Sequence, residues 1–576
     1  MGSSSGACRR RGHTRDSYLA AAVLCRTAQG WGGSGMTGSI SPRTFTNPVI
    51  PGFHPDPSIC RVGDQFYLVV SSFEYFPGIP IFTSTDLVSW TPLGHVLDRP
   101  SQLDLSSAPP SGGIYAPTIR HHNGHFFVTA TNVSGGGHFI VHAEDPAGPW
   151  SEPVWVDQNG IDPSLFFDRG HVYFTSNIEP RPEGPHIENP DFVRGIQQSL
   201  VDPFTGRLLA APQFIWGGTG GRYPEAPHMY RRGEYYYLVL AEGGTEYGHM
   251  VTIGRSSSPW GPFEASPWGP LVSHRSVASP LQAVGHADLF TLPNGEWWLV
   301  ALGIRPVGQW PRHLLGRETV LAPVRWRDDD WPEAGDQGEI KVEQPRPALA
   351  AEPRVEHNAR DDFDLQTLAP KWQFVRRPLE VDEVCGARPG WLTLVATKSA
   401  LDGLYPCFIG RRQQHYSFVA RTRIEYRPEQ QDEEAGIAVR MNETHFFALA
   451  IRRHAEGVEA TLRQRVGALE VCADVAVLQG SDFVLRVVGD DDHYRFSIEG
   501  CDGLVHTAAS VDARFLTTEF AGGFTGVFVG PYAASPAGRS SPAYVDWFDY
   551  LPEPDGKANE SSARTIEKTT AFVGRN

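Results

Sequence analysis

The sequence predicts an all-β chain, a five-bladed β-propeller followed by a β-sandwich. Three observations lead there. One short segment recurs five times within residues 44–345, every copy runs into a hairpin signature, and residues 360–552 alternate apolar and polar positions over many short runs.

The repeats set the first domain. Each begins with a small, acidic or imidazole residue, then in four copies Pro, a polar residue and an apolar one: Asp56-Pro-Ser-Ile, Ala116-Pro-Thr-Ile, Asp162-Pro-Ser-Leu, Ala226-Pro-His-Met and His286-Ala-Asp-Leu. The spacings are 60, 46, 64 and 60 residues. A Gly-containing turn follows, then an aromatic-rich strand such as QFYLVV, HFFVTAT or EYYYLVL, which is the pattern of a β-hairpin. Runs such as DLVSW and PAGPW extend several copies towards four strands, and repeats of this length made of strands are propeller blades. A solenoid would need capping repeats, and none is evident.

A chain of 576 residues exceeds one hydrophobic core, so a second domain is expected. Residues 346–359 are rich in Pro, Ala and charge and read as a linker. Across 360–552 the runs WLTLVA, SFVARTRIEY, GIAVRM, HFFALAIRR, FVLRVVG, HYRFSIEG and YVDWFDYL have the alternation of an antiparallel sandwich. Residues 1–43 and 553–576 are expected to be disordered extensions. Tyr18–Cys25 is too short for a convincing signal core and Arg26 follows at once, so a cytoplasmic location is expected over a secreted one, with Met36 an alternative start.

Composition narrows the partners. A formal charge of −16 argues against nucleic acid, which needs a basic face. No run of 18 apolar residues occurs, so no membrane span is expected. The seven cysteines show no CxxC spacing, which supports neither a zinc site nor a disulfide framework, and they read as small buried hydrophobes. Asn132, Asn442 and Asn559 head glycosylation sequons that matter only in a secreted chain.

In a propeller, equivalent positions of the blades converge on the axis. Asp56, Tyr115, Asp162, Glu225 and His286 therefore share one expected hollow. A lone Asp before Pro is ordinarily a turn residue. Three carboxylates at one repeat phase are costly to hold together unless their opposed protonation states are used. Glycosidic cleavage uses them: one acid protonates the leaving oxygen and one carboxylate activates water. A planar donor fork such as Arg305 in LGIRP suits sugar hydroxyls.

The run NPVIPGFHPDPSICRVGDQFYLVVSSFEYFPGIPIFTSTDLVSW resembles the opening of glycoside hydrolase family 43 enzymes of the β-xylosidase type. So do GGIYAPTIRHHNG, GIDPSLFFD, YPEAPHMYRRGEYYYLVLAEGGT, GHADLF and LGRETVLAPVRW. WLTL, GIAVRM and GGFTGVFVGPYA resemble the concanavalin-like sandwich these enzymes carry. The resemblance implies an inverting, exo-acting hydrolase that releases xylose from the non-reducing end of β-1,4-xylooligosaccharides. It implies Asp56 as general base, Glu225 as general acid, and Asp162 as the residue that tunes and orients the acid. It also implies Phe73, Tyr115, His286, Arg305 and a sandwich loop at Phe524 as substrate contacts. Many relatives carry Trp at the position of Tyr115, which weakens the substrate preference carried over.

An α-L-arabinofuranosidase or a bifunctional enzyme is the nearest alternative, and a non-catalytic carbohydrate-binding propeller the alternative from another class. The expected partners are xylooligosaccharide or arabinoxylan fragments, and a homo-oligomer is compatible with the sequence. No cofactor is required; calcium near the axis is left open by the resemblance, although no EF-hand-type loop is present.

Overall fold

Five antiparallel sheets, four of them four-stranded and the fourth blade's with a fifth short strand, succeed one another between Ser58 and Ala334 in a computed structural model, which describes residues 43–178, 194–352, 359–379, 384–396, 398–536, 538 and 541–553. Expectations for residues 1–42 and 554–576 lie outside the described residues, as do 353–358 of the expected linker, Cys8, Cys25 and Asn559.

The innermost strands of the blades are Ser58–Val62, Ile114–His122, Ser164–Asp168, Glu225–Arg232 and Gln282–Thr291. Each contacts the next, and the fifth contacts the first, so the ring is closed. Each innermost strand turns back through a two-residue connection or a short loop. At Asn123-Gly124 and Arg169-Gly170 both connecting residues are left-handed (φ 51 and 82°, 50 and 81°), the backbone of a type I′ hairpin turn whose twist matches the strands it joins. Between neighbouring blades lie separate apolar clusters. Phe127 and Ile140 of the second blade pack on Leu165 and Phe174 of the third, and Val239 and Ile253 of the fourth on Leu299 and Ala301 of the fifth.

The segment leading into the first blade locks the ring. Thr44–Thr46 pairs with Glu343–Pro345, and Ile50 bridges Thr319 of the fifth blade. Buried Asn47 donates from Nδ2 to Leu321 O (2.9 Å) and Lys341 O (3.1 Å) and accepts from Leu321 N–H (2.9 Å). Replacing Asn47 by Ala strands buried backbone groups of the fifth blade. It should lower stability by about 2–4 kcal/mol, since each orphaned buried group costs about 1–3 kcal/mol. A thermal melt monitored by tryptophan fluorescence checks this; an unchanged midpoint would remove Asn47 from the closure.

Two eight-stranded sheets form the sandwich. In the strand Glu434–Asn442 every residue is buried, because the sheet has a core on each side. Ile437 and Val439 face the inter-sheet core, while Ala438 faces a cluster with Phe53, Phe73 and Tyr75 of the propeller. The outer sheet instead alternates, as in Asp482–Gly489, because one face meets water. Two residues of the first blade's connecting loop, Tyr75–Phe76, join the inner sheet by pairing with Val375 and Phe374. The two halves thus share a sheet.

Two sequence expectations are corrected by burial. Asn132 and Asn442 are buried, and Asn132 Nδ2 donates to Asp104 O (3.2 Å), so neither amide is open to glycosylation. Of the cysteines, Cys60, Cys385 and Cys407 are buried, but Cys472 and Cys501 are exposed.

Candidate active site

The head of the repeat is where the backbone leaves regular strand geometry. Asp56, Asp162, Ala226 and His286, the first residues of four of the five copies, all have left-handed φ (55, 54, 51 and 49°). Such a conformation in a residue with a side chain is strained by about 1–3 kcal/mol and clusters at functional sites. Register also slips between Tyr115 and Thr118, Glu225 and His228, and Gly285 and Asp288. Bulges of this kind re-aim side chains where a strand starts.

Asp56 is buried, 4% exposed. Ser71 Oγ donates to its Oδ2 (2.5 Å) and Arg317 Nη1 to its Oδ1 (2.9 Å), with His286 Nδ1 3.7 Å away. Burial works against the Asp56 anion, yet Arg317, His286, Ser71 and His249 together hold its carboxyl below the usual range. It is therefore ionised at neutral pH. Burial pushes His286 down, against the pull of Asp56, so its imidazole is neutral. Burial also drives His249 down to about 3. The His249 ring lies over Gly285, where an added Cβ would approach within 2.2 Å of it, which explains the glycine of GHADLF.

Asp162 Oδ2 accepts from Ala226 N–H (3.2 Å), tying it to the residue after Glu225. Glu225 is partly exposed at the start of the fourth blade's innermost strand. Tyr115 spans the hollow: Asp162 and Asp56 both act electrostatically on its phenol, which burial pushes up to about 12 and which donates to Ser111 O (3.0 Å). Asp56, Asp162 and the strand start carrying Glu225 thus come together around Tyr115.

Aromatic rings wall this hollow. Phe73 lies 5.0 Å from Tyr115 and 6.1 Å from Phe524, centroid to centroid. Phe524 comes from the sandwich, just after the turn Thr518–Ala521, and is 39% exposed. Its N–H donates to Ser111 Oγ (2.8 Å) and its carbonyl accepts from Arg317 Nη2 (3.3 Å). The sandwich loop carrying Phe524 thus lies against Phe73, Tyr115 and Arg317 of the propeller. Phe73, at 2% exposure, backs the wall and offers almost no surface itself.

Arg305 is anchored by an ion pair with Glu318. Its guanidinium grips both oxygens of Glu318 (2.7 and 2.8 Å), Glu318 accepts from Gly52 N–H, and Tyr416 OH donates to the Arg305 carbonyl. The fork that reaches Asp56 belongs to Arg317, twelve residues on, at the return of the same loop. Arg317 also donates to Thr245 Oγ1 (3.1 Å), and its buried Nε has no partner among the described residues. Arg317, Ser71, Thr245 and His249 escaped the sequence reading; the one signal for Arg317 was its place in LGRETVLAPVRW. Glu519 of the sandwich steadies this loop by accepting from His313 N–H (2.9 Å) and from Tyr247 OH (3.2 Å).

Beneath the hollow, Asp288 is fully buried and accepts from Ser58 Oγ (2.6 Å), Ile59 N–H (3.0 Å), Tyr230 OH (2.5 Å) and Arg120 (2.8 and 3.1 Å). Burial opposes its anion, but Arg120 foremost holds the carboxyl far below the usual range. The axial carboxylate already has its cation in Arg120. Among the described residues, no group of three or more His, Cys, Asp or Glu is arranged to hold a metal.

A carboxylate kept ionised, a second acid at the start of a neighbouring innermost strand and a third carboxylate bound to that strand are the parts an acid–base hydrolysis of a glycoside needs. Residues 45–332 match glycosyl hydrolases family 43, and residues 360–551 match a beta xylosidase C-terminal concanavalin A-like domain. A non-reducing end alpha-L-arabinofuranosidase of Bacteroides ovatus is 42% identical over 525 residues, 89% of this chain and 96% of that protein. A xylosidase/arabinosidase of Butyrivibrio fibrisolvens is 35% identical, over 87% of this chain and 98% of that one. The crystal structure of a xylan beta-1,4-xylosidase from Bacillus halodurans superposes with a TM-score of 0.83 at 32% identity, covering 88% of this chain and 100% of the other. The chain belongs to glycoside hydrolase family 43 and carries that family's concanavalin-like partner domain.

Proposed function

We propose that this protein removes single pentose units from the non-reducing end of short xylan-derived chains, xylose from β-1,4-xylooligosaccharides first, with inversion. The observation that carries the reading is the buried Asp56 carboxylate, held ionised by Arg317 and Ser71 within the hollow that Tyr115 shares with Asp162. Asp56 takes a proton from water as that water attacks the anomeric carbon, and Glu225 gives a proton to the departing oxygen. Asp162 holds the Glu225 strand start through Ala226 N–H. His286 lies beside Asp56 and contributes a neutral imidazole to the sugar's hydroxyls, while Arg317 holds the base in place. Phe524 and Tyr115 close the hollow on one side, which suits a chain end over a chain interior. Proton NMR of nitrophenyl β-xyloside hydrolysis, in which only one xylose is released, should show α-xylose appearing first; β-xylose first would overturn inversion.

Arabinofuranose release is the second reading. It is favoured by Tyr115, whose ring is smaller than the Trp of many relatives and whose hydroxyl is spent on Ser111 O. Time courses on xylobiose, arabinoxylan fragments and arabinan, with paired aryl xyloside and aryl arabinofuranoside assays, separate the two. The mechanism requires no cofactor, so dialysis against EDTA should leave kcat unchanged; a loss restored by calcium would contradict it.

Arg317→Met tests the charge balance at the base. Burial raises the Asp56 carboxyl and Arg317 is the strongest influence lowering it, so removing the guanidinium lets burial prevail. The acidic limb of kcat/KM should move to higher pH, because Asp56 is then protonated sooner as pH falls. An unmoved limb would separate Arg317 from the base.

A further inference from the structure

A groove of about 440 Å³ lies between the outer edges of the fourth and fifth blades, lined by Ser266, Trp268, Arg327, Glu333 and Gln337 among others. Arg327 stands in the turn after the strand Glu318–Trp326, which joins the fifth blade's third strand to its fourth. In a four-stranded antiparallel blade that turn lies at the end opposite the start of the innermost strand, so the groove is separate from the hollow of Asp56.

Trp268 is 56% exposed. It is nevertheless held in place: Nε1–H donates to Asp329 Oδ2 (2.9 Å), and the Arg327 guanidinium lies 4.5 Å from the ring centroid. Arg327 also pairs with Glu333 (3.1 Å), so the groove offers donors and acceptors with its charges matched. An anion or cation would gain little there. A neutral ring with apolar C–H faces and a rim of hydroxyls matches both the flat indole and the paired polar groups.

We propose that this groove is a second carbohydrate-binding site, which holds a chain of the pentose polymer while the distant hollow works on chain ends. The choice of a pentose chain rests on the function proposed above; the groove itself does not.

Native electrophoresis through gels containing soluble arabinoxylan or glucomannan tests it. The parent protein and its Asp56→Asn variant should both be slowed by arabinoxylan. Trp268→Ala should bind about tenfold or more weakly, the scale of losing one aromatic anchor. Trp268→Phe, which keeps a flat ring, should retain part of the retardation and guards against misfolding. Aryl xyloside turnover by Trp268→Ala should equal that of the parent. Retardation of Trp268→Ala equal to the parent's, or none of the parent in either gel, overturns the site even if aryl turnover is intact. Retardation by glucomannan alone overturns the pentose assignment. Absence of aryl turnover in the parent would instead strike the proposed function.

Discussion

Asp56→Asn should abolish turnover on every glycoside, activated or not. A general base contributes on the order of 10²–10⁴ in rate, and an amide oxygen cannot accept the proton that attacking water must lose. The substitution keeps the side-chain shape. Its Oδ1 can still accept from Arg317, and Nδ2 can face Ser71, whose hydroxyl can turn to accept. The hollow should therefore survive, and a competitive sugar inhibitor should still bind. A good leaving group gives no relief, because the missing step lies on the water side of the bond. Stability offers an independent readout. The folded-state pKa of Asp56 is lowered, so its ionised form stabilises the fold above its unfolded pKa and that contribution is lost as pH falls through the folded value. The Asn variant lacks this term, and its melting midpoint should vary less across the acid range. Substantial turnover on any substrate would remove Asp56 from the chemistry.

The residues that the sequence revealed are those that ring closure forces into phase. Asp56 and Asp162 lie just before innermost strands, Glu225 starts one and His286 lies within one, and five blades around one axis bring such equivalent positions towards one another. Their periodicity is a direct image of the geometry. Arg317 reaches the same hollow from the loop between the fifth blade's second and third strands, out of phase with every repeat. Arg305 opens that loop and Arg317 ends it, and only the folded path decides that Glu318 takes the first and Asp56 the second. Tyr75–Phe76, the two-residue strand that joins the halves, is too short to carry an alternation. The sandwich strand Leu469–Leu478 is mostly exposed, so burial imprints no pattern on it. Phe524 came from the resemblance alone, since nothing in a repeat count of the first domain points to a loop some 200 residues beyond it.

Glu225→Ala should divide substrates by their leaving groups. On xylobiose the departing oxygen is a sugar alkoxide, which leaves poorly without a proton, so the loss should fall in the range of about 10²–10⁴ expected of a general acid. On a nitrophenyl xyloside the departing phenolate is stable unprotonated, and the loss should be far smaller. The pH profile carries the second half of the argument. In a two-group mechanism the alkaline limb of kcat/KM reports the acid, so on the aryl substrate that limb should flatten while the acidic limb, set by Asp56, stays in place. A structural role predicts otherwise. Glu225 begins a strand, with a register slip before His228 and Ala226 N–H bound to Asp162. If its side chain merely supported that start, removing it would disturb Asp162 and Tyr115 for all substrates alike. Equal losses on xylobiose and on the nitrophenyl xyloside, with both limbs retained, would therefore assign Glu225 to the scaffold and leave the leaving oxygen without a proton donor.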